Sequence, residues 1–508
     1  MLLGWGLKGK CGLGLVVWRK TINFAFRYVV CIAAIHIVLP LVFLLYWFVF
    51  RRQKWQNLLV AVASYVFYGW WDWRFLCLIF FTTVCSYASG MWIERFDGKR
   101  GIQKSISTLN ILVNLAILGV FKYYNFFVDS MNDLVAVFGY QLDWPTANLI
   151  LPVGISFYTF QALSYSIDIY KGKLKPTHDF VAFVAFISFF PQLVAGPIER
   201  ASHLLPQFLS KRRFDYERAV DGCRQMLWGF FKKMVVADMC ATVVNHTWTD
   251  FSSMSTINLW VTIVLFSFQI YCDFSAYSDI AIGCARLFGF DLVKNFNYPY
   301  FSRNIPEFWR RWHMSLLSWF RDYVYFPLGG SRCAKWRTVM NTITVFVISG
   351  LWHGAAWTFV VYGIFHGLMC SFYAITGLKS KYEHGPGHGR LLPSLKELGM
   401  MVLTFALVSV ARVLFRAEGN LTLAFDYYQQ MFSFATFYDG DIVGIKAMAV
   451  CALLVAVEWV KREHNHPLEL ANHGLMQYRA MRWTLYVALA SITFFCQAGE
   501  QDFIYFQF

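Results

Sequence analysis

The sequence predicts an all-α, polytopic integral membrane protein with about 11–13 membrane helices, and two observations carry that prediction. The 508-residue chain is 57% hydrophobic and only 15% charged, against roughly 25% charge in soluble domains. Apolar runs also recur along its whole length, at about 28–50, 57–70, 74–93, 107–128, 147–170, 180–197, 222–247, 257–287, 340–378, 397–415, 443–460 and 481–497. A helix needs roughly 20 apolar residues to span a bilayer, so several of these runs are expected to be broken. A transmembrane barrel would alternate over strands of about ten residues, and these runs are too long and continuous for that.

The net charge of +15 raises nucleic acid as a partner, but the placement of the charge fits a membrane protein better, and no nucleic acid is expected. The basic residues lie in short connections between apolar runs, at Arg51-Arg52-Gln53-Lys54, Arg95 to Lys104, Lys171 to Lys175, Lys211-Arg212-Arg213 and Arg303 to Arg337. That is the pattern of the positive-inside rule, with membrane lipids as the natural surroundings. Placing the clusters inside gives an external N-terminus, and the basic segment 1–27 (Lys8, Lys10, Arg19, Lys20, Arg27) argues for the opposite orientation. That segment has no assigned role and no clear cleavable signal, so residues 28–508 form the membrane domain. The run 180–197 is short and holds Pro191, Gly196 and Pro197; it is expected to be re-entrant. The twelve cysteines are scattered with no C-x-x-C pair, which predicts neither disulfide nor metal site.

Polar chemistry concentrates in a few elements. Within 151–170, Gln161, Ser164, Tyr165 and Asp168 recur at helical spacing, and within 257–287 Gln269, Asp273 and Tyr277 do the same, with Ser275 and Asp279 on a second edge. Carboxylates in membrane helices pair or line a cavity, and a cavity is the expectation for all three aspartates. Interhelical hydrogen bonding is an equal reading of the serines and tyrosines. The stretch 302–307 carries helix-start residues, and Glu307 and Arg311 form an i, i+4 pair in the favourable order. Beyond it Trp309, His313, Leu316 and Phe320 share a helical face, which predicts an interfacial amphipathic helix. The segment 340–378 is too long for one span and barely enough for two. Gly350, Gly354, Gly363 and Gly367 interrupt it, so a break is expected beside His353. His366 reads as a core histidine, and His464, His466 and His473 as a solvated loop. An ionisable group at bilayer depth is costly and by default marks a functional site. Histidine also takes and returns protons near neutral pH, so His313 and His353 stand out.

On the residues Leu151 to Gln161, Phe190 to Ile198, Tyr271 to Asp279, Asn304 to Asp322, Leu351-Trp352-His353-Gly354 and Phe503 to Phe508, the chain resembles the membrane-bound O-acyltransferase family, in its bacterial alginate O-acetyltransferase-like branch. The resemblance implies a helical core around a central tunnel, multi-pass in the bacterial inner membrane. It also implies a cytoplasmic thioester donor, acetyl-coenzyme A or an acyl carrier, with no bound cofactor. Transfer is towards a secreted exopolysaccharide of alginate or cellulose type, with separate periplasmic polysaccharide-modifying proteins as partners. The family's two histidines map to His353 and His313.

Acyl transfer to a hydroxyl needs a base, expected to be His353. His313 is expected at the donor mouth, positioning the thioester or polarising its carbonyl. Arg310, Arg311 and Arg321 are candidates for the donor's phosphates or an acidic carrier surface, with headgroup contacts as the alternative. Trp309, Trp312, Trp352 and Trp357 are expected to wall the tunnel with Gln269, Asp273, Tyr277 and Asp168. A polysaccharide or lipid-linked precursor transporter and a non-catalytic scaffold remain the competing readings. The absence of matching half-chain repeats weighs against the transporter.

Overall fold

A computed structural model describes residues 38–141, 144–147, 149–378, 382, 384–434, 436–470, 474–496, 499, 501 and 503–504. The basic segment 1–27, the start of the first apolar run, His473 and the last four residues of the C-terminal motif lie outside them. The described residues are helical, with no strand among them.

The chain opens with α1 (Leu39–Leu44), α2 (Gln53–Asp72), α3 (Arg74–Arg95), α4 (Arg100–Leu118) and α5 (Tyr124–Val137). A short π-helical turn, Gly119–Tyr123, joins the last two. Then come α6 (Ile155–Tyr170), α7 (Phe180–Ile187), α8 (Ala201–Leu209), α9 (Tyr216–Phe231), α10 (Asp238–Thr249) and the long α11 (Thr256–Leu287). The functional stretch contains α12 (Ile305–Arg311), α13 (Met314–Phe320), α14 (Lys335–His353) and α15 (Trp357–Ile375). The chain closes with α16 (Leu395–Arg416), α17 (Leu421–Ser433), α18 (Ile445–Val460) and α19 (Arg479–Phe495).

Among the described residues five helical segments are long and apolar enough to cross a membrane: Arg74–Arg95, Arg100–Val137, Thr256–Leu287, Trp357–Ile375 and Leu395–Arg416. The other apolar runs fold into helices that are shorter or carry more polar residues. α6 and α11 are buried almost all round, and the exposed apolar residues sit mainly on α1 to α5 and α14 to α19. The run 180–197 makes only the eight-residue α7 followed by turns, nearly all of it buried, which is too short to cross.

The basic connections are tied to one another. Gln53 Nε2 donates to the Phe208 carbonyl at 2.6 Å, and Arg212 Nη2 to Asn57 Oδ1 at 2.6 Å. Arg100 donates to the Tyr170 carbonyl at 2.7 Å, the Lys171 ammonium lies 5.5 Å from the Tyr323 ring centre, and Arg200 pairs with Asp322 at 2.8 Å. The opposite helix ends meet separately: the Tyr68 hydroxyl donates to the Val153 carbonyl and that of Tyr123 to Leu351, both at 2.9 Å. The molecule therefore has a basic end and a far end. α14 starts at the basic end with Lys335, and its 19 residues carry the chain about 27 Å along its axis to His353.

Two expectations need correction. The interfacial amphipathic helix is two short helices broken at Trp312-His313, and His313 has φ +44. Its face of Trp309, Trp312, Leu316 and Phe320 packs into the protein core, away from the headgroups. His466 is buried rather than solvated, with its Nε2 3.0 Å from Asp221.

Candidate active site

His353 ends α14, and extended Gly354 follows it, so the expected break lies where the glycine-rich run suggests. The other glycines act differently: they let α14 and α15 touch backbone to backbone. A Cβ on Gly350 would meet the Phe359 carbonyl oxygen at 2.1 Å, and one on Gly363 that of Phe346 at 2.4 Å. The last carbonyls of a helix have no intrahelical partner, and here the π-helical turn after α4 supplies donors. Lys122 donates to the Trp352 carbonyl and, at 3.2 Å, to that of His353, while Tyr123 takes Leu351. An ammonium at this end also complements the helix dipole.

His313 is held from the other side. Asn295, in the loop after α11, accepts from the Met314 N–H through its backbone carbonyl at 2.9 Å. Its side-chain Oδ1 lies 3.1 Å from His313 Nδ1, 2.9 Å from Ser315 Oγ and 3.4 Å from the Ser315 nitrogen. Phe274 of α11 stacks edge-on to the imidazole at 4.7 Å. The two histidine rings, forty residues apart in sequence, are 6.3 Å apart centre to centre. Trp352 touches both, at 5.6 Å from His313 and 5.0 Å from His353, and Phe415 lies 5.5 Å from His353. Both histidines are buried.

Two small cavities lie near the pair, one lined by His353 and the other by Asn295, the partner of His313. One of about 80 Å³ is lined by Lys122, residues 151–157, Val194, Trp352 and His353. A smaller one, about 20 Å³, lies beyond Asn295 among Lys232, Asp279, Lys294 and Glu458. A larger groove of about 650 Å³ between α2, α3 and α7 is almost wholly apolar and lies away from the histidines.

The remaining sequence candidates divide. Trp352 stands in the site, and Trp312 lies one ring behind it, 5.0 Å from Phe296. Trp309 packs a wall further on, its Nε1–H donating to His366 Nδ1 at 3.3 Å. Trp357 is half exposed, bonded to Ser130 at 3.2 Å, and walls nothing. Arg310 is exposed; Arg321 is exposed beside Asp322 at 2.9 Å. Arg311 is committed to Glu307 at 3.0 Å, which also binds Arg303 at 3.0 Å. Burial alone would raise the Glu307 carboxyl, but hydrogen bonds from Arg303 and the charge of Arg311 hold it below its ordinary value.

Asp273 is paired with Lys233 at 2.8 Å and accepts from the Ile504 N–H at 2.7 Å, so it anchors the C-terminal segment rather than lining a cavity. Tyr277 packs on Phe503 at 5.7 Å. Gln269 is buried within α11, and its Oε1 has no hydrogen-bond partner among the described residues. Asp168 sits near the basic end of α6 with Tyr323 and Ser202, away from the histidines. Of the three aspartates expected at a cavity, Asp279 lines one, paired with Lys232 at 2.7 Å. Sequence reasoning missed Lys122 and Asn295. A lone lysine inside the run 107–128 was a readable signal; Asn295, in a polar loop, gave none.

A family profile for membrane-bound O-acyltransferases matches residues 65–380. The chain belongs to the membrane-bound O-acyltransferase family. It is 37% identical over 428 residues to the probable alginate O-acetylase AlgI of Pseudomonas aeruginosa, covering 82% of this chain and 79% of that one. It is 31% identical over 471 residues to the peptidoglycan O-acetyltransferase of Helicobacter pylori, covering 87% and 84%. The teichoic acid D-alanyltransferase of Bacillus subtilis matches at 30% over 223 residues, 42% of this chain and 56% of that protein. As a membrane-bound O-acyltransferase the protein is a multi-pass membrane enzyme that transfers acyl groups to oxygen.

Proposed function

We propose that this enzyme takes an acetyl group from a cytoplasmic thioester, on coenzyme A or an acyl carrier, and passes it across the bacterial inner membrane for O-acetylation of a secreted exopolysaccharide. The observation that carries the reading is the buried pair His313 and His353, 6.3 Å apart, with one small cavity at His353 and another at Asn295, the partner of His313. The positive-inside rule makes the basic end cytoplasmic. Asn295 and the smaller cavity then lie towards the donor, and His353, about 27 Å along α14 from that end, faces the acceptor.

His353 removes the proton as the acceptor oxygen attacks the thioester carbonyl, and the carbon–sulfur bond breaks with its electron pair on sulfur. Trp352, Phe274 and Phe415 keep water from hydrolysing the donor. The exposed Arg310, and Arg321 beside its partner Asp322, are placed to meet a donor's phosphates or an acidic carrier at the basic end. Higher identity to alginate O-acetylase than to the peptidoglycan enzyme favours an exopolysaccharide acceptor, reached through periplasmic polysaccharide-modifying proteins.

The test is the O-acetyl content of the secreted polymer in a null strain complemented with wild type or His353→Ala, with membrane protein levels blotted. Loss of acetyl groups with polymer and protein intact is the expected result. Retained acetylation would sink the base assignment, and loss of the polymer itself would return the transporter reading.

A further inference from the structure

The contacts around Asn295 decide which nitrogen of His313 carries its proton. A side-chain amide can be placed either way round, so the His313 Nδ1···Asn295 Oδ1 contact alone does not fix donor and acceptor. The Ser315 backbone nitrogen resolves it. That N–H can only donate, and it points at the same amide atom, 3.4 Å away, so the atom is the oxygen. The other end of the amide agrees, since Asn295 Nδ2 donates to Ser278 Oγ at 3.1 Å. Oδ1 therefore accepts from Ser315 Oγ–H at 2.9 Å and from the N–H at His313 Nδ1 at 3.1 Å. In a neutral imidazole the second nitrogen is then a lone-pair acceptor. His313 Nε2 is that atom, and it is buried with no hydrogen-bond partner among the described residues. An unsatisfied buried acceptor is costly, and here it belongs to the ring that faces His353.

We propose that Asn295 is a positioning residue that holds His313 as the Nδ1–H tautomer, making Nε2 the nitrogen that receives and returns a proton during acyl transfer. The proposal rests on the acyl-transfer reading and changes the part of His313. A ring with no hydrogen on Nε2 cannot polarise the thioester carbonyl; it can relay. The acceptor oxygen forms its bond to the carbonyl carbon and its proton goes to His353. The carbon–sulfur bond breaks towards sulfur, and the thiolate leaves on the Asn295 side still needing a proton. Nε2 of His313 takes the proton from His353 and passes it to sulfur, so the ester and the thiol form with no net proton gained or lost. The ring centres stand 6.3 Å apart, so the proton crosses through one bridging hydroxyl or water hydrogen-bonded to both rings. The titratable groups facing His313 are His353 from α14, with Lys122 behind it. Across Asn295 stand Lys232, Asp279, Lys294 and Glu458.

The experiment uses the full-length protein, ¹⁵N-labelled at histidine and reconstituted in lipid nanodiscs, with His313→Gln to assign the His313 signals. Protonated and bare ring nitrogens are well separated by NMR. Wild type is expected to show a protonated Nδ1 and a bare Nε2. Asn295→Leu is expected to lose that single tautomer, and Asn295→Asp, nearly the same shape, to protonate both nitrogens near neutral pH. In cells Asn295→Leu is expected to lower polymer O-acetylation at least about tenfold at equal protein level. A wild-type ring protonated at Nε2, an unchanged tautomer in Asn295→Leu, or wild-type acetylation in both variants overturns the proposal. Retained acetylation in His353→Ala would instead overturn the acyl-transfer chemistry while leaving the tautomer result as measured.

Discussion

Replacing Gly350 with alanine puts a methyl group where α14 and α15 have no room for one. The new Cβ would lie 2.1 Å from the Phe359 carbonyl oxygen and 3.1 Å from its carbon. Ordinary contact begins near 3.4 Å, so the two backbones must part by about 1.3 Å, the difference between 3.4 and 2.1. The obstacle is main chain, so no side-chain rotation relieves it. Overpacking of this kind costs about 1–3 kcal/mol, against which alanine's better helix propensity returns at most about 1 kcal/mol.

The larger effect falls on His353, three residues on and fixed by the same hairpin. A displacement near 1 Å in a catalytic group can cost about 100-fold in rate. Gly350→Ala is therefore expected to lower the melting temperature of the detergent-purified protein modestly and to cut polymer O-acetylation far more. Gly399→Ala on α16 is the control, because nothing lies within 4 Å of its Cβ; it should leave both readings unchanged or raise stability slightly. Wild-type melting and acetylation in Gly350→Ala would refute the claim that this crossing sets the site.

Lys122→Met removes the donor that caps α14; leaving a buried carbonyl unpaired costs about 1–3 kcal/mol, so melting should fall and acetylation with it, and an unchanged melting curve would dismiss the cap. Asp273→Asn leaves Lys233 paired with Asp238 at 2.9 Å, so its cost should fall below the about 3–5 kcal/mol of an orphaned buried charge. Lys233→Met strips both Asp238 and Asp273 of their partner and should lower melting further, as paired melting curves would reveal. Glu307 is held below its ordinary value, so its pairing stabilises the fold above the normal carboxylate range near about 4.3. That stability is lost as pH falls through the depressed folded value. Glu307→Gln should flatten the acid side of a melting-temperature profile, and an unaltered profile would show that the Arg303–Glu307–Arg311 cluster adds no such dependence.

What was legible in the sequence followed from local rules. Run lengths and sparse charge are enough for an all-helical membrane chain, and Asn304 caps α12 by accepting from the Glu307 N–H at 2.8 Å, as its position before Pro306 suggests. The break beside His353 was visible because 340–378 exceeds one span and falls short of two. The break at His313 was not, because the apolar spacing of Trp309, Leu316 and Phe320 continues through it. What interrupts that helix is Asn295, eighteen residues earlier, whose backbone and side chain capture the Met314 and Ser315 nitrogens. A tertiary bond of that kind leaves no periodic trace. The aspartates teach the same lesson: membrane carboxylates need partners, but only the packed structure decides that Asp273 takes Lys233 while Asp279 takes Lys232.

Both histidines sit where a helix stops inside the protein, and that placement has a physical logic. Irregular backbone at depth survives only if its polar groups find partners within the protein. At His353 the partners are Lys122 and Tyr123; at His313 the partner is Asn295. Lys122 also lines the cavity at His353, and Asn295 lines the smaller one. On the proposed chemistry, contact with the substrate and alignment of the two histidines are built from the same hydrogen bonds, and a ligand that pulled Asn295 or Lys122 aside would shift the segment carrying the histidine it was meant to meet.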